Sequence, residues 1–184
     1  MSKKYVNMLL PLEDFYYHHY NHALEVYERS IYIKKELNDD ELEIILSALF
    51  HDTFIIQYDN NEYIAKIARN FLKAHLYSDE KISQIEELII STDPLKKPIN
   101  KMSEILKDAD TDNLRDDFFD KSEKLKLEIE TIKSIKIKYP DWYHYSLEFL
   151  TKFHEFKTKT SRIERYQKKQ ENILKLKEKL NTIK

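Results

Sequence analysis

The stretch NDDELEIILSALFHD, residues 38–52, decides how the chain folds. Asn38-Asp39-Asp40 breaks the preceding helical pattern and offers two N-caps, each with a glutamate three residues on: Asn38 with Glu41, or Asp40 with Glu43. Either pair makes a capping box, in which cap and glutamate satisfy each other's free backbone N–H groups. Ile44, Ile45, Ala48 and Leu49 then follow at helical spacing. The segment ends on His51-Asp52, which places an imidazole and a carboxylate side by side at the end of an apolar helix.

Outward from that segment the helical period continues almost throughout, and no alternating strand pattern interrupts it. A first helix is expected from about Glu13–Tyr16 to Leu37. A loop around Gln57 to Asn60 leads to a helix over about Asn61 to Ala74. Ser78 caps another, which stops near Ile90, ahead of an extended connection marked by Pro94 and Pro98. Further helices are expected over Asn100 to Asp112 and over Asp120 to Ile137. Helix restarts at Pro140-Asp141, with a break near Arg162 to Tyr166. In the final ENILKLKEKL, Ile173, Leu174, Leu176 and Leu180 share helical spacing and should dock one face. Residues 1–184 read as one domain, with a core over about 15–160 and a helical extension over about 161–184.

Composition narrows the chemistry. The chain has no glycine, so the backbone loops that cradle phosphate in Walker or dinucleotide motifs are absent, because they need positive φ or close backbone approach. It has no cysteine, which removes disulfides, thiolate zinc sites and cysteine nucleophiles. Any metal must be held by His, Asp, Glu or water. A formal charge of −2 argues against a nucleic-acid binder that relies on a net positive field. The opening MSKKYVNMLLPLEDF is too short in apolar residues for a signal peptide. No apolar run approaches the roughly 20 residues of a membrane span, so a cytoplasmic protein is expected.

Three clusters stand out against this background. His18, His19 and His22 fall within about one turn of the first helix. His51 and Asp52 follow, and Asp108, Asp110 and Asp112 come later as DADTD, after another apolar stretch. Taken singly, each has a plainer reading: a solvated histidine face, a chance dipeptide and an acidic helix end. Together, on separate helices, they supply the convergent ligands that a metal requires.

In order and setting these clusters resemble the HD-domain metal-dependent phosphohydrolase superfamily, whose motif is a His, a His-Asp pair and a distant Asp on helices. The matching stretches are YHHYNHALEV (17–26), LSALFHDTF (46–54) and ILKDADTDNL (105–114). DNNEYIAKIA, IISTDP and HEFKTKTSR extend the likeness to small stand-alone bacterial members. The resemblance implies an all-α, multi-helix bundle with C-terminal helices packed on it. It also implies one divalent ion (Mn, Fe, Co, Ni, Zn or Mg) held by His22, His51, Asp52 and Asp110. Asp110 is preferred to Asp108 because it lies four residues from both Leu106 and Leu114, whereas Asp108 shares its face with Glu104 and Asp112. Asp108 is expected to support it.

The implied activity is hydrolysis of a phosphate ester, a nucleotide or another phosphomonoester or diester, by a metal-activated water. The alternative is a sensor that keeps the fold and binds nucleotide or metal without turnover. Asp52 would also orient or deprotonate the water. His18 would contact a phosphate or the leaving oxygen, unless it is simply an exposed helix histidine. Glu62 would orient a water or a ligand histidine, or else serve only as a first-turn acid. Arg115 would balance phosphate charge, unless it bridges acidic neighbours such as Asp116, and the resemblance makes Lys159 and Arg162 of TKTSR phosphate-facing cations that would otherwise read as solvated. His75 reads as an exposed helix end. Tyr16, Tyr17, Trp142, Tyr143 and Tyr145 read as packing in preference to base stacking.

Overall fold

The computed structural model describes residues 16–34, 41–52, 60–115 and 117–183, and all of their regular structure is helical. In chain order the helices are α1 (Tyr20–Lys34), α2 (Glu41–Phe50), α3 (Asn61–Ala74), α4 (Asp79–Ser91), α5 (Lys101–Asp110), α6 (Phe118–Lys133), α7 (Tyr139–Glu148) and α8 (Lys159–Thr182). A π-helical turn, Phe149–Phe153, continues α7. The candidate caps Asn38 and Asp40 lie outside the described residues, as do the ends expected for the first helix at Glu13 and Leu37.

Caps written in the sequence start several helices where expected. Asn60 accepts the backbone N–H groups of Glu62 and Tyr63 ahead of α3, Ser78 accepts from Lys81 ahead of α4, and Asn100 forms a capping box with Ser103 on α5. Each removes orphan N–H donors from a helix start. α6 ends earlier than the sequence suggested, because Ser134 turns left-handed at φ 49° and Ile135 N–H closes onto Glu130 O. The expected break near Arg162 to Tyr166 lies instead at 154–158, and α8 runs unbroken through Arg162 and Tyr166. Thr and Ser in TKTSR mark a helix start, since Thr158 caps α8 by accepting from Ser161 N–H.

α2 is the central element, and the packing shows why. Leu46 and Phe50 join α3 and α4 in one core with Ile64, Leu72, Ile82 and Ile89. Ile44 and Ala48, two positions away and so on the opposite side, join α1, α4 and α5 in a second core with Val26, Ile33, Leu88 and Leu106. A helix buried on opposite faces reads as nearly continuous apolar sequence. It carries its C-terminus, with His51-Asp52, to the junction of both cores. A third core joins Leu114, Phe118, Leu150 and Phe156 to Ile173 and Leu176 of α8. Of the expected docking face, Leu174 is exposed.

Candidate metal centre

Three helices deliver the cluster. His22 sits in the first turn of α1, His51 and Asp52 follow directly on α2, and Asp110 is the last residue of α5. The C-termini of α2 and α5 therefore meet at one place, and their partial negative charge favours a cation there. His51 N–H keeps the helical bond to Ser47 O at 2.9 Å. Its Nδ1–H donates to Ala48 O at 2.7 Å, using a carbonyl left free at the helix end. That bond fixes the tautomer and turns Nε2 towards the carboxylates, as a metal-binding histidine requires.

One ligand atom from each of His22, His51, Asp52 and Asp110 can be chosen so that all four lie within 4.8 Å of one another. Asp52 Oδ2 is 3.0 Å from His22 Nε2 and 2.8 Å from His51 Nε2. Asp110 Oδ1 is 3.3 Å and 3.2 Å from the same two nitrogens. Despite this closeness, His51 Nε2 and Asp52 Oδ2 are buried without a hydrogen-bond partner of acceptable geometry. Buried polar atoms are rarely left so, and lone pairs gathered around a common point fit a divalent ion. Two nitrogen and two oxygen donors suit a borderline metal.

The electrostatics agree. Burial alone would lower His22, but its hydrogen bond to Asp110 and the adjacent Asp52 carboxylate raise it to about 9. Burial opposes the charge on His51 too, yet the carboxylates of Asp52 and Asp110 hold it well above the ordinary value. Burial would raise both acids, but His51 and its neighbours keep Asp52 well below the usual range and bring Asp110 to about 2. Without an ion the cluster thus stores protons on its imidazoles. The His22 contribution to stability is complete below pH 6.5 and is lost as pH rises through about 9. The Asp110 contribution is complete above pH 3.8 and is lost as pH falls through about 2. A cation must displace the imidazole protons. Mn titrated at pH 7 is therefore expected to release roughly one to two protons per ion, read from the buffer dependence of the binding heat. Heat independent of buffer ionisation would contradict this charge state.

The two carboxylates of the cluster, Asp52 and Asp110, form part of the wall of a cavity of about 670 Å³, whose lining also includes Tyr17, His18, Asn60, Glu62, Lys96, Asn113, Tyr145 and Phe149. That volume suits a ligand of nucleotide size. A smaller cleft of about 200 Å³ shares Lys96, Asp110 and Thr111 with it and adds Lys97, Lys107 and Lys157. Asn61 Nδ2 donates to Thr92 Oγ1 at 2.9 Å, and Lys107 Nζ donates to Ser91 O and Asp93 O at 2.7 and 2.6 Å. These bonds tie the ends of α3, α4 and α5 into a fixed rim.

Residues 19–113, just over half of the chain, match the family model described as HD domain. The chain belongs to the HD-domain family. With the ligand cluster in place, this HD-domain protein is a metal-dependent phosphohydrolase acting on a phosphate ester. Its fold is similar to that in the crystal structure of Bacillus subtilis YpgQ in complex with ADP. The two agree with a TM-score of 0.63 at 18% identity, over 98% of this chain and 97% of that one. No curated protein matches by sequence.

The remaining sequence candidates of the HD-domain protein scatter. His18 and Glu62 line the cavity, the latter as an exposed first-turn acid 3.4 Å from Lys96 Nζ. Arg115 does not line it: the guanidinium pairs with Asp112 at 3.4 Å. Lys159 and Arg162 are exposed on the first turn of α8 and line neither the cavity nor the cleft. The cations at the cavity are Lys96 and, in the cleft, Lys97, Lys107 and Lys157. His19 caps α1 by accepting from Asn21 and His22 N–H. His75 donates to Phe71 O at its helix end. Trp142 is buried against Tyr145, and Tyr145 reaches the cavity.

Two residues escaped the sequence reading. Glu128 of α6 is buried and accepts from the Tyr17 and His18 backbone N–H groups at 2.7 and 2.9 Å, and from His18 Nδ1. It thereby fixes the His18 ring at the cavity wall. The only local signal was an acid within the apolar run LKLEIE. His154 donates from Nε2 to Thr111 Oγ1 at 3.0 Å. Burial, with Lys169 and Lys157 nearby, lowers it to about 3, so the imidazole is neutral.

Proposed function

We propose that the chain hydrolyses the phosphate ester of a nucleotide, with His22, His51, Asp52 and Asp110 holding one divalent ion at the cavity wall. The observation that carries this reading is the convergence of those four side chains beside a space of nucleotide size. When bound, such an ion lowers the pKa of a coordinated water and polarises a phosphoryl oxygen. Asp52 Oδ2 is engaged with both imidazoles, which leaves Oδ1 to orient the water or take its proton. His18, steadied by Glu128, is placed to meet a phosphate or the leaving oxygen. Lys96, with Glu62 across the rim, takes the anion-balancing role first given to Arg115, Lys159 and Arg162. The nucleotide is supported by the ADP in the Bacillus subtilis relative and by Tyr145 and Phe149 on the cavity wall.

The same reading treats residues 1–184 as one unit, because α8 shares a core with Leu114 and Phe118. No described helix is long and apolar enough to cross a membrane, and a cytoplasmic setting belongs to the proposal. The test is a chelator-stripped protein reloaded with Mn, Co, Ni, Zn or Mg and assayed for phosphate release from nucleotides and simple esters. Cation-dependent turnover of nucleotides is expected. A tight nucleotide complex without turnover under any ion would replace the hydrolase by a sensor. Lys96→Ala is expected to raise KM about tenfold with little change in kcat, since an anion contact made equally in ground and transition states affects binding alone. An unchanged KM would remove Lys96 from the site.

A further inference from the structure

The aspartates of DADTD face three different partners. Asp108, 1% exposed, accepts from Lys157 N–H at 2.8 Å and from Thr158 N–H and Oγ1–H at 2.7 Å each. Asp112 accepts from Arg165 Nε of α8 at 2.8 Å and pairs with Arg29 Nε of α1 at 2.9 Å. Asp110, between them, meets the two imidazoles. The backbone on either side of the ligand is thus tied to residues that begin and line α8, outside the stretch matched by the family model. Arg29 also lies seven residues from His22, two turns along the same face of α1. Asp112 therefore sets the register of this turn against the helix that supplies the first ligand.

We propose that Thr158 and Arg165 are positioning residues for the cation: by holding Asp108 and Asp112 they fix Asp110 against His22 and His51, and so set ion affinity. The inference rests on the reading that the cluster holds a divalent cation. A ligand already fixed in place loses less freedom on binding than one on a loose turn. The coupling is reciprocal, so an ion that gains from the latch must also tighten it.

The test uses the full chain without substrate, stripped by chelator and titrated with Mn while free ion is read by electron paramagnetic resonance. Thr158→Val and Arg165→Met are expected to bind Mn about tenfold more weakly, and Thr158→Ser, which keeps the hydroxyl, within about twofold of wild type. In wild type, saturating Mn should slow amide exchange at Lys157 and Thr158 by at least about twofold. Wild-type Mn affinity in both Thr158→Val and Arg165→Met overturns the proposal, whatever their melting temperatures. Should Arg165→Met fail to fold, amide exchange decides: rates at Lys157 and Thr158 unaffected by Mn overturn it. A wild-type chain that binds no Mn overturns the underlying cation reading as well, which separates the two failures.

Discussion

Asp52→Ala is expected to purify without its cation and to lose at least about a thousandfold in turnover while keeping its helical content. Oδ2 of this residue is the atom nearest both imidazoles, at 3.0 and 2.8 Å. Its loss removes one of four ligands and the carboxylate best placed to handle the water. The expected stability change is smaller than deletion of a buried charge usually brings. Asp52 is among the groups that raise His22 and His51, so without it the imidazoles more readily lose their protons and leave less uncompensated buried charge. Asp52→Asn keeps the shape and should fail in the same way, because an amide neither balances the ion nor accepts a proton. Metal content by mass spectrometry, turnover on nucleotides and circular dichroism check the set. A variant that retains stoichiometric metal and turnover would remove Asp52 from the centre.

How much of this was legible follows from the distance between partners. The α2 segment could be read because its code is local: caps, a helical apolar pattern and a His-Asp pair at its end. What the sequence did not reveal is that the apolar run has two faces buried in two cores, which explains why His51-Asp52 sits at their junction. DADTD is more instructive. Helical spacing placed Asp110 on the apolar face and Asp108 on the polar one, and the structure does bring Asp110 to the cluster. Yet Asp108 is the more buried of the two, because its oxygens are satisfied by groups 49 and 50 residues away, which no local period can show. Glu128 reaches His18 across 110 residues and was silent for the same reason. Arg115 was assigned because it follows the aspartate cluster, and Lys159 and Arg162 from the family resemblance of TKTSR alone. The structure puts Arg115 against an acidic neighbour, Asp112, the plainer of its two readings, and leaves Lys159 and Arg162 exposed on α8.

Asp108 and Asp110 should accordingly exchange the outcomes that their spacing suggests. Asp108→Ala leaves the Thr158 N–H and hydroxyl buried without an acceptor and the Lys157 N–H half-buried, at a cost of roughly 2–4 kcal/mol. For a chain of this size that lowers Tm by roughly 5–15 °C. Asp110→Ala removes a carboxylate that is 26% exposed and bonded to no backbone donor. The cation-free protein should therefore lose about 2 kcal/mol or less, because the imidazoles can shed their protons, while Mn binding is lost. Melting curves with and without Mn separate the two. Wild-type protein and Asp108→Ala should both gain Tm with the ion, the latter from a lower start, whereas Asp110→Ala should gain nothing. Asp108→Ala melting with wild type would mean that the α8 junction does not depend on this carboxylate. The reason for expecting otherwise is the set of partners each acid meets: Asp108 accepts from Lys157 and Thr158, whereas Asp112 pairs with Arg29 and Arg165. Asp110, which meets the two imidazoles in place of a backbone donor or a guanidinium, is left for the metal.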